Sequence, residues 1–268
     1  MFFHEEGFCM LDALNIAKVS TGVVILGLAG KYGFTDKTGR MTTAAVYSGI
    51  HLSYLTWWFL EQYLFPPFWD KRFTAQADPV GAAIVTFVFG IVYSLPAYNA
   101  FTKPKPLSPF VTITSIIMFC LGCLINTMAD VQMHARKMAG AKGMLITNGI
   151  FRLAQNPNWF GDYLRYAAFG WSSGAHWSSF IPLMLGIITN YGATQDPAAK
   201  GGFRERYGAA VYDEWIANVP NKILPEVSTP ILLVMVTVWM IWTCSYTAGY
   251  MTRTTSASTS TEPKLKSV

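Results

Sequence analysis

Apolar residues run along this chain in long blocks separated by short polar stretches. A helix needs about 20 mostly apolar residues to cross the hydrocarbon core of a bilayer. Blocks near that length are Leu14–Gly30, Thr43–Phe65, Pro79–Tyr98, Pro109–Met128 and Thr229–Tyr250. Lys18 and Ser20 interrupt the first, and Pro96 is expected to kink or end the third. A sixth apolar stretch, Trp159–Tyr191, has room for two short helices; its middle, Trp171-Ser-Ser-Gly-Ala-His176, reads as a turn, which predicts a hairpin. Phe203, Tyr207, Val211 and Trp215 recur every four residues, with Arg204, Arg206, Asp213 and Glu214 on the wetter side. That pattern predicts an amphipathic helix over 202–217, resting on the membrane surface. Alternating strands of the kind a membrane β-barrel needs are absent. The expectation is an all-α, polytopic membrane protein with about five spanning helices, a short helical hairpin and a surface amphipathic helix.

Composition supports this. The chain has 268 residues, 52% apolar and only 13% charged, where a soluble chain carries about 25% charged residues. Nine tryptophans, mostly near segment ends, form the expected interfacial belt. The net charge of +5 is spread thinly, with none of the clustered Lys and Arg that a nucleic-acid face requires. If every block spans, loops 66–78, 131–156 and 192–228 share one face, and they carry slightly more Lys and Arg than the other. That bias weakly favours a cytoplasmic (or matrix, or stromal) position for the loop face. The acidic start, Met-Phe-Phe-His-Glu-Glu, is unlike a basic presequence.

Cys120 and Cys123 form a C-x-x-C, but inside an apolar run, where helix packing is the better reading than metal or redox chemistry. His4, His51, His134 and His176 have no ligand spacing, so no metal is expected. His51 and Glu61 are ionisable groups inside a membrane segment, a functional hypothesis by default, although Glu61 is close enough to the segment end to snorkel.

Four regions follow: N-terminal membrane helices over 1–128, a polar-rich membrane region over 129–226, an added C-terminal helix over 227–250, and a Ser/Thr-rich polar tail over 251–268. The second carries the candidate chemistry. Asn156-Pro157 forces an extended approach, and Asn158 is then a good N-cap for a helix beginning at Trp159. Asp162 is expected in the first turn of that helix, where the dipole favours an anion. Such a helix start suits a phosphate or carboxylate. Judged on these residues alone, an ordinary capped membrane helix is the plainer reading.

Ala129-Asp-Val-Gln132, Leu145-Ile-Thr-Asn-Gly149-Ile-Phe151-Arg152 and Asn156-Pro157-Asn158-Trp159-Phe-Gly161-Asp162 follow one another in a telling order. Gln195-Asp196, Tyr207-Gly208, Tyr212, Val219-Pro220 and Pro225 continue the series. Over roughly residues 125–226 the chain resembles the C-terminal half of the membrane sterol and steroid reductases. It is also similar to the isoprenylcysteine carboxyl methyltransferases, which share that fold. The resemblance implies a cavity opening on the loop face, with Arg152, Asn158, Asp162, Asp196 and Tyr207 as candidates for holding a cofactor, NADPH in the reductases or a sulfonium cofactor in the methyltransferases. The catalytic residue itself is not indicated.

The departures bear on function. In the reductases a basic Arg-His pair precedes the Pro-Asn of this motif; here Gln155-Asn156 stands there. Met133 takes the place of a usual Lys, and Gln195-Asp196-Pro197 that of Arg-Asp-Glu. Each lost charge-assisted hydrogen bond costs about 1.5–3 kcal/mol, while Arg136, Lys137, Arg152 and Arg165 are available to compensate. The added helix Pro230–Tyr250 offers new lateral surface. Two readings stand. One is an accessory subunit of a larger membrane assembly, without a cofactor, contacting lipid and docking other subunits through residues 229–268. The other is an NADPH-dependent reductase of a sterol or lipid double bond, with an S-adenosylmethionine-dependent methyltransferase as its variant. The resemblance points to the endoplasmic reticulum, and the subunit reading to an energy-transducing membrane.

Overall fold

A computed structural model describes residues 8–64, 77–140, 145–192, 202–223, 237, 238 and 241. The described residues are helical and contain no strand, only the isolated bridges Thr35–Met41 and Thr42–Pro106. Four long helices come first: α1 (Met10–Tyr32), α2 (Thr43–Leu64), α3 (Pro79–Thr102) and α4 (Pro109–Met138). The hairpin follows as α5 (Pro157–Ser172) and α6 (Ile181–Gly192), and two short helices, α7 (Phe203–Tyr207) and α8 (Ala209–Asn218), complete the series. Single 3₁₀ turns lie at Gly149–Arg152 and Trp177–Phe180.

Three of the expected spans are long and apolar enough to cross a membrane: α1, α3, and Pro109–Arg136 within α4. The expected Thr43–Phe65 span forms a helix of 22 residues, about 33 Å long, but is not apolar enough to count with them. Its Ser48, His51 and Glu61 are buried against neighbouring helices, so this helix keeps its polar side inside the bundle. The fifth expected span, Thr229–Tyr250, lies almost wholly outside the described residues, and the 251–268 tail lies entirely outside them. Among the described residues, three helices therefore qualify on length and apolarity.

Pro96 does not end its helix. An interior proline removes one ladder hydrogen bond and crowds the preceding turn, but here it is fully buried while Ala97, Ala100 and Phe101 beyond it pack into the core. The helix therefore continues to Thr102. The turn expected at 171–176 is present: α5 closes at Ser172, and Gly174 (φ 97°) and Ala175 (φ 55°) reverse the chain. Gly170 lets the Phe180 ring return against α5, since a Cβ there would sit 2.5 Å from that ring.

The surface helix differs from its expectation. Gly208, at φ 87°, divides it into α7 and α8. That left-handed residue breaks the four-residue stripe, so Tyr212, Trp215 and Val219 form the buried cluster, and Phe203 and Val211 are exposed. On the wetter side, Arg204 donates to both carboxylate oxygens of Asp213, at 2.7–3.3 Å.

One cluster joins α1, α2, α3 and α5 around Tyr47, Phe101 and Phe169; another joins α5 and α6 around Trp171, Phe180 and Leu183. Outward-facing Val23, Leu26 and Phe87 are more than 60% exposed, as lipid contact requires. The closest helix pair is α4 with α5. A Cβ on Gly122 would lie 2.6 Å from the Gly161 carbonyl oxygen, and one on Gly161 would lie 2.7 Å from that of Gly122. Small residues at such crossings replace the hydrophobic drive that lipid removes.

Gly161→Val should therefore destabilise the protein by about 1–3 kcal/mol through overpacking against backbone. Gly27→Ala, where nothing lies within 4 Å of the new Cβ, should be neutral or stabilising because alanine favours helix. Thermal unfolding in detergent followed by tryptophan fluorescence distinguishes the two, and equal melting temperatures would contradict the crossing as described.

Candidate functional site

The residues at the start of α5 position the candidate motif. The helix opens at Pro157 with Asn156 as N-cap, so Asn158 occupies its second position and is not the cap. Proline presets a helical φ and has no N–H to satisfy, which moves the start two residues earlier than expected. Asp162 consequently lies beyond the first turn, where the dipole effect has faded. Its charge is balanced instead by an ion pair with Arg165, three residues on and buried.

Asn126 of α4 joins the motif from across the glycine crossing. Its side-chain amide donates to the Asn158 carbonyl at 3.1 Å and reaches the Asp162 carboxylate at 3.5 Å. Gln132, two turns further on, closes the preceding loop: its amide donates to the Asn148 carbonyl at 2.7 Å and accepts from the Ile150 N–H at 3.2 Å. Gly149 sits there at φ 61°, and any Cβ would strike the Gln132 amide.

Gln155 and Asn156, the neutral replacements, donate into the 219–222 segment. Their backbone N–H groups donate to the carbonyls of Asn221 and Lys222 at 3.1 and 2.8 Å. Their side chains donate to the Val219 carbonyl at 2.9 Å and the Lys222 carbonyl at 3.2 Å. This clamp fixes the end of α8 against the start of α5.

Of the five candidate residues, the structure brings Asn158 and Asp162 together through Asn126. Arg152 is exposed at the end of the 3₁₀ turn Gly149–Arg152. Tyr207 is half-buried at the end of α7, with its ring 5.8 Å from that of Phe203. Among the described residues, no hydrogen bond or ion pair joins either one to Asn158 or Asp162. Asp196 lies outside the described residues. No group of His, Cys, Asp and Glu suited to a metal occurs among the described residues.

The residues gathered most densely were not those the motif indicated. Lys18, buried in α1, donates to the Tyr54 hydroxyl, and its ammonium lies 4.2 Å from the centre of the Trp58 ring, 4.4 Å from that of Tyr54 and 5.2 Å from that of Tyr93. Arg165 stands 5.1 Å from the Tyr54 ring centre, and the Tyr93 and Tyr166 hydroxyls share a hydrogen bond of 2.9 Å. Beside them, Thr127 donates to the Glu61 carboxylate at 3.1 Å and accepts from the Trp57 indole at 3.0 Å. Asn15 and Gln62 exchange amide hydrogen bonds at the α1–α2 contact. Lys18 interrupting an apolar block was the sequence signal for this cluster, and Tyr54 and Trp58, one turn apart, were its other half. Chemically, the cluster holds two cations, an ion pair and several phenols inside a lipid-facing bundle. On the outer side of α1 and α3, a groove of about 1190 Å³ is lined by uncharged residues, among them Val24, Ala83 and Phe87.

Removing one partner of a buried ion pair leaves an uncompensated charge, at a cost of about 3–5 kcal/mol. Asp162→Ala should show that loss in chemical unfolding, and Asp162→Ala with Arg165→Met should recover much of it. Lys18→Met removes a cation held by rings and one hydroxyl, and should cost far less than Asp162→Ala. A double variant no more stable than Asp162→Ala would show that the pair is not coupled.

No curated protein matched the chain in comparison. The model of the family described as "Protein of unknown function (DUF1295)" matches residues 19–200, which take in the part of α1 beyond Lys18 and all of α2 to α6, with Tyr54, Tyr93 and Arg165 of the buried cluster, and the chain belongs to that family.

Proposed function

We propose that this chain is an accessory integral membrane subunit in which a steroid-reductase-like motif has become structural scaffold. The observation that carries this reading is the use to which the motif's polar groups are put. Gln155 and Asn156 hold the 219–222 segment, Asn126 takes the Asn158 carbonyl, and Arg165 neutralises Asp162. Groups that would otherwise face a dinucleotide are satisfied within the protein. The family is related to steroid-reductase-like membrane proteins, which supports the origin of the motif. In this reading no cofactor is bound, lipid occupies the groove between α1 and α3, and residues 229–268 dock neighbouring subunits of an assembly, such as one in an energy-transducing membrane.

The buried cluster favours a second reading. Ionisable groups kept inside a membrane bundle mark functional sites by default, and Tyr54 beside Lys18 and Arg165 would suit proton donation to a lipid double bond after hydride transfer from NADPH. Arg152, Asn158, Asp162, Asp196 and Tyr207 would then hold the cofactor. A sulfonium cofactor in the same place would make the protein a methyltransferase.

Binding measurements separate these readings. Micromolar affinity requires about 8 kcal/mol, drawn for a polyphosphate cofactor largely from positioned cations. Titration of the purified full chain with NADPH, or with S-adenosylmethionine, should give no saturable signal below about 100 µM, a dissociation constant worth only about 5.5 kcal/mol. Saturable micromolar binding of NADPH would overturn the subunit reading and establish the reductase as the better one. Gln155→Ala should in addition raise amide exchange across 209–222, because it frees the clamp; unchanged exchange would mean that Gln155 is not serving as scaffold.

A further inference from the structure

The end of the bundle away from the long loops is built from the 33–42 loop, the 103–108 loop and the turn at 173–176. Its charges are one-sided. The described side chains there include Lys31, Lys37, Arg40, Lys103 and Lys105, against Asp36 as the acid among the described residues. Asp36 is already engaged: it accepts from the Thr38 hydroxyl at 2.6 Å and from the Arg40 guanidinium at 3.2 Å. Those bonds hold its carboxyl down at about 2.

Three basic groups from two segments, the 103–108 loop and the turn at 173–176, meet within this surface. The Lys103 ammonium lies 3.2 Å from Nε2 of His176. The stem of Lys105 lies across Gly174, where a Cβ would stand 3.4 Å from Cδ of that lysine. The Lys105 backbone is tied to Thr43 on both sides, accepting from its N–H at 3.0 Å and donating to its hydroxyl at 3.2 Å. On its other edge His176 contacts the Ser178 hydroxyl at 2.8 Å. Trp177 beside it is 67% exposed, as an aromatic at the headgroup level would be. Lysine at a helix end also complements the helix dipole, but that explains Lys103 singly and not the assembly of three bases.

We propose that Lys103, Lys105 and His176 form a site for a phosphate group, supplied by the headgroup of an anionic lipid in the leaflet that contacts this end of the bundle. The position at the end of α3 and the exposed Trp177 place it at headgroup depth. Desolvation first, then Lys103 and Lys105, push the His176 imidazole below its ordinary value. A bound phosphate opposes the two lysines and favours the imidazolium, so binding strengthens as the pH falls. This holds for either reading of the protein's function.

The test is native mass spectrometry of the full chain in detergent with phosphatidylglycerol, whose phosphodiester keeps a single negative charge over the range used, phosphatidylcholine as the reference lipid, and glycerol 3-phosphate as soluble competitor. The protein should retain phosphatidylglycerol over phosphatidylcholine, and more strongly at about pH 5.5 than at about pH 7.5. Lys103→Gln should weaken retention about fivefold, the effect of one basic residue near an anionic surface. His176→Asn preserves an acceptor for the Ser178 N–H and should abolish the pH dependence. Lys37→Gln, on the neighbouring loop, serves as the control for general surface charge and should leave retention nearly unchanged. Displacement of the lipid by millimolar glycerol 3-phosphate would support the phosphate site while assigning it a soluble ligand. Equal retention by Lys103→Gln and the unaltered protein, or an equal loss in Lys37→Gln, would overturn the proposal.

Discussion

The contact between Gly122 and Gly161 governs the interior of this protein. Each glycine lies so close to the other's carbonyl that a methyl group fits in neither place. Within lipid, no hydrophobic force draws helices together, and close approach of backbones must supply the attraction instead. The same approach brings Asn126 onto the first turn of α5 and lays the Arg165 stem along α4. Had either position carried a side chain, the Asn126 amide and the Asn158 carbonyl would not meet.

That crossing also shapes how the bundle tolerates charge. An isolated ion inside a low-dielectric interior is costly unless it is paired or hydrogen-bonded. Arg165 is compensated by Asp162, whereas Lys18 is compensated chiefly by aromatic faces and a phenol. Ring quadrupoles offer a cation a weaker partner than a carboxylate does. The two charges are thus held by different means, around a shared Tyr54, and that asymmetry is what leaves a catalytic reading in contention with a structural one.

The two ends of the bundle have different characters. At the loop end, the described polar groups are spent on holding segments together: Gln132 on 148–150, Gln155 and Asn156 on 219–222, Arg204 on Asp213. At the opposite end, cations outnumber acids among the described residues and gather around His176.

The sequence by itself determined the helical character, the positions of α1 to α4, the hairpin and its turn at 171–176. Apolar block length and the scarcity of charge leave lipid-exposed backbone few alternatives to helix. It also marked Asn158 and Asp162 as neighbours, because residues four apart on a helix share a face. Tertiary structure decided the rest. Whether Pro96 ends a helix depended on the core packed beyond it, and that Ser48, His51 and Glu61 of Thr43–Leu64 turn inward depended on the helices packed against it. The stripe over 202–217 failed at Gly208, whose left-handed φ resets the register, a conformation that glycine permits but does not announce. Lys18, Tyr54, Tyr93 and Arg165 come from four different helices, and their meeting rests on helix–helix approach, which local periodicity does not encode.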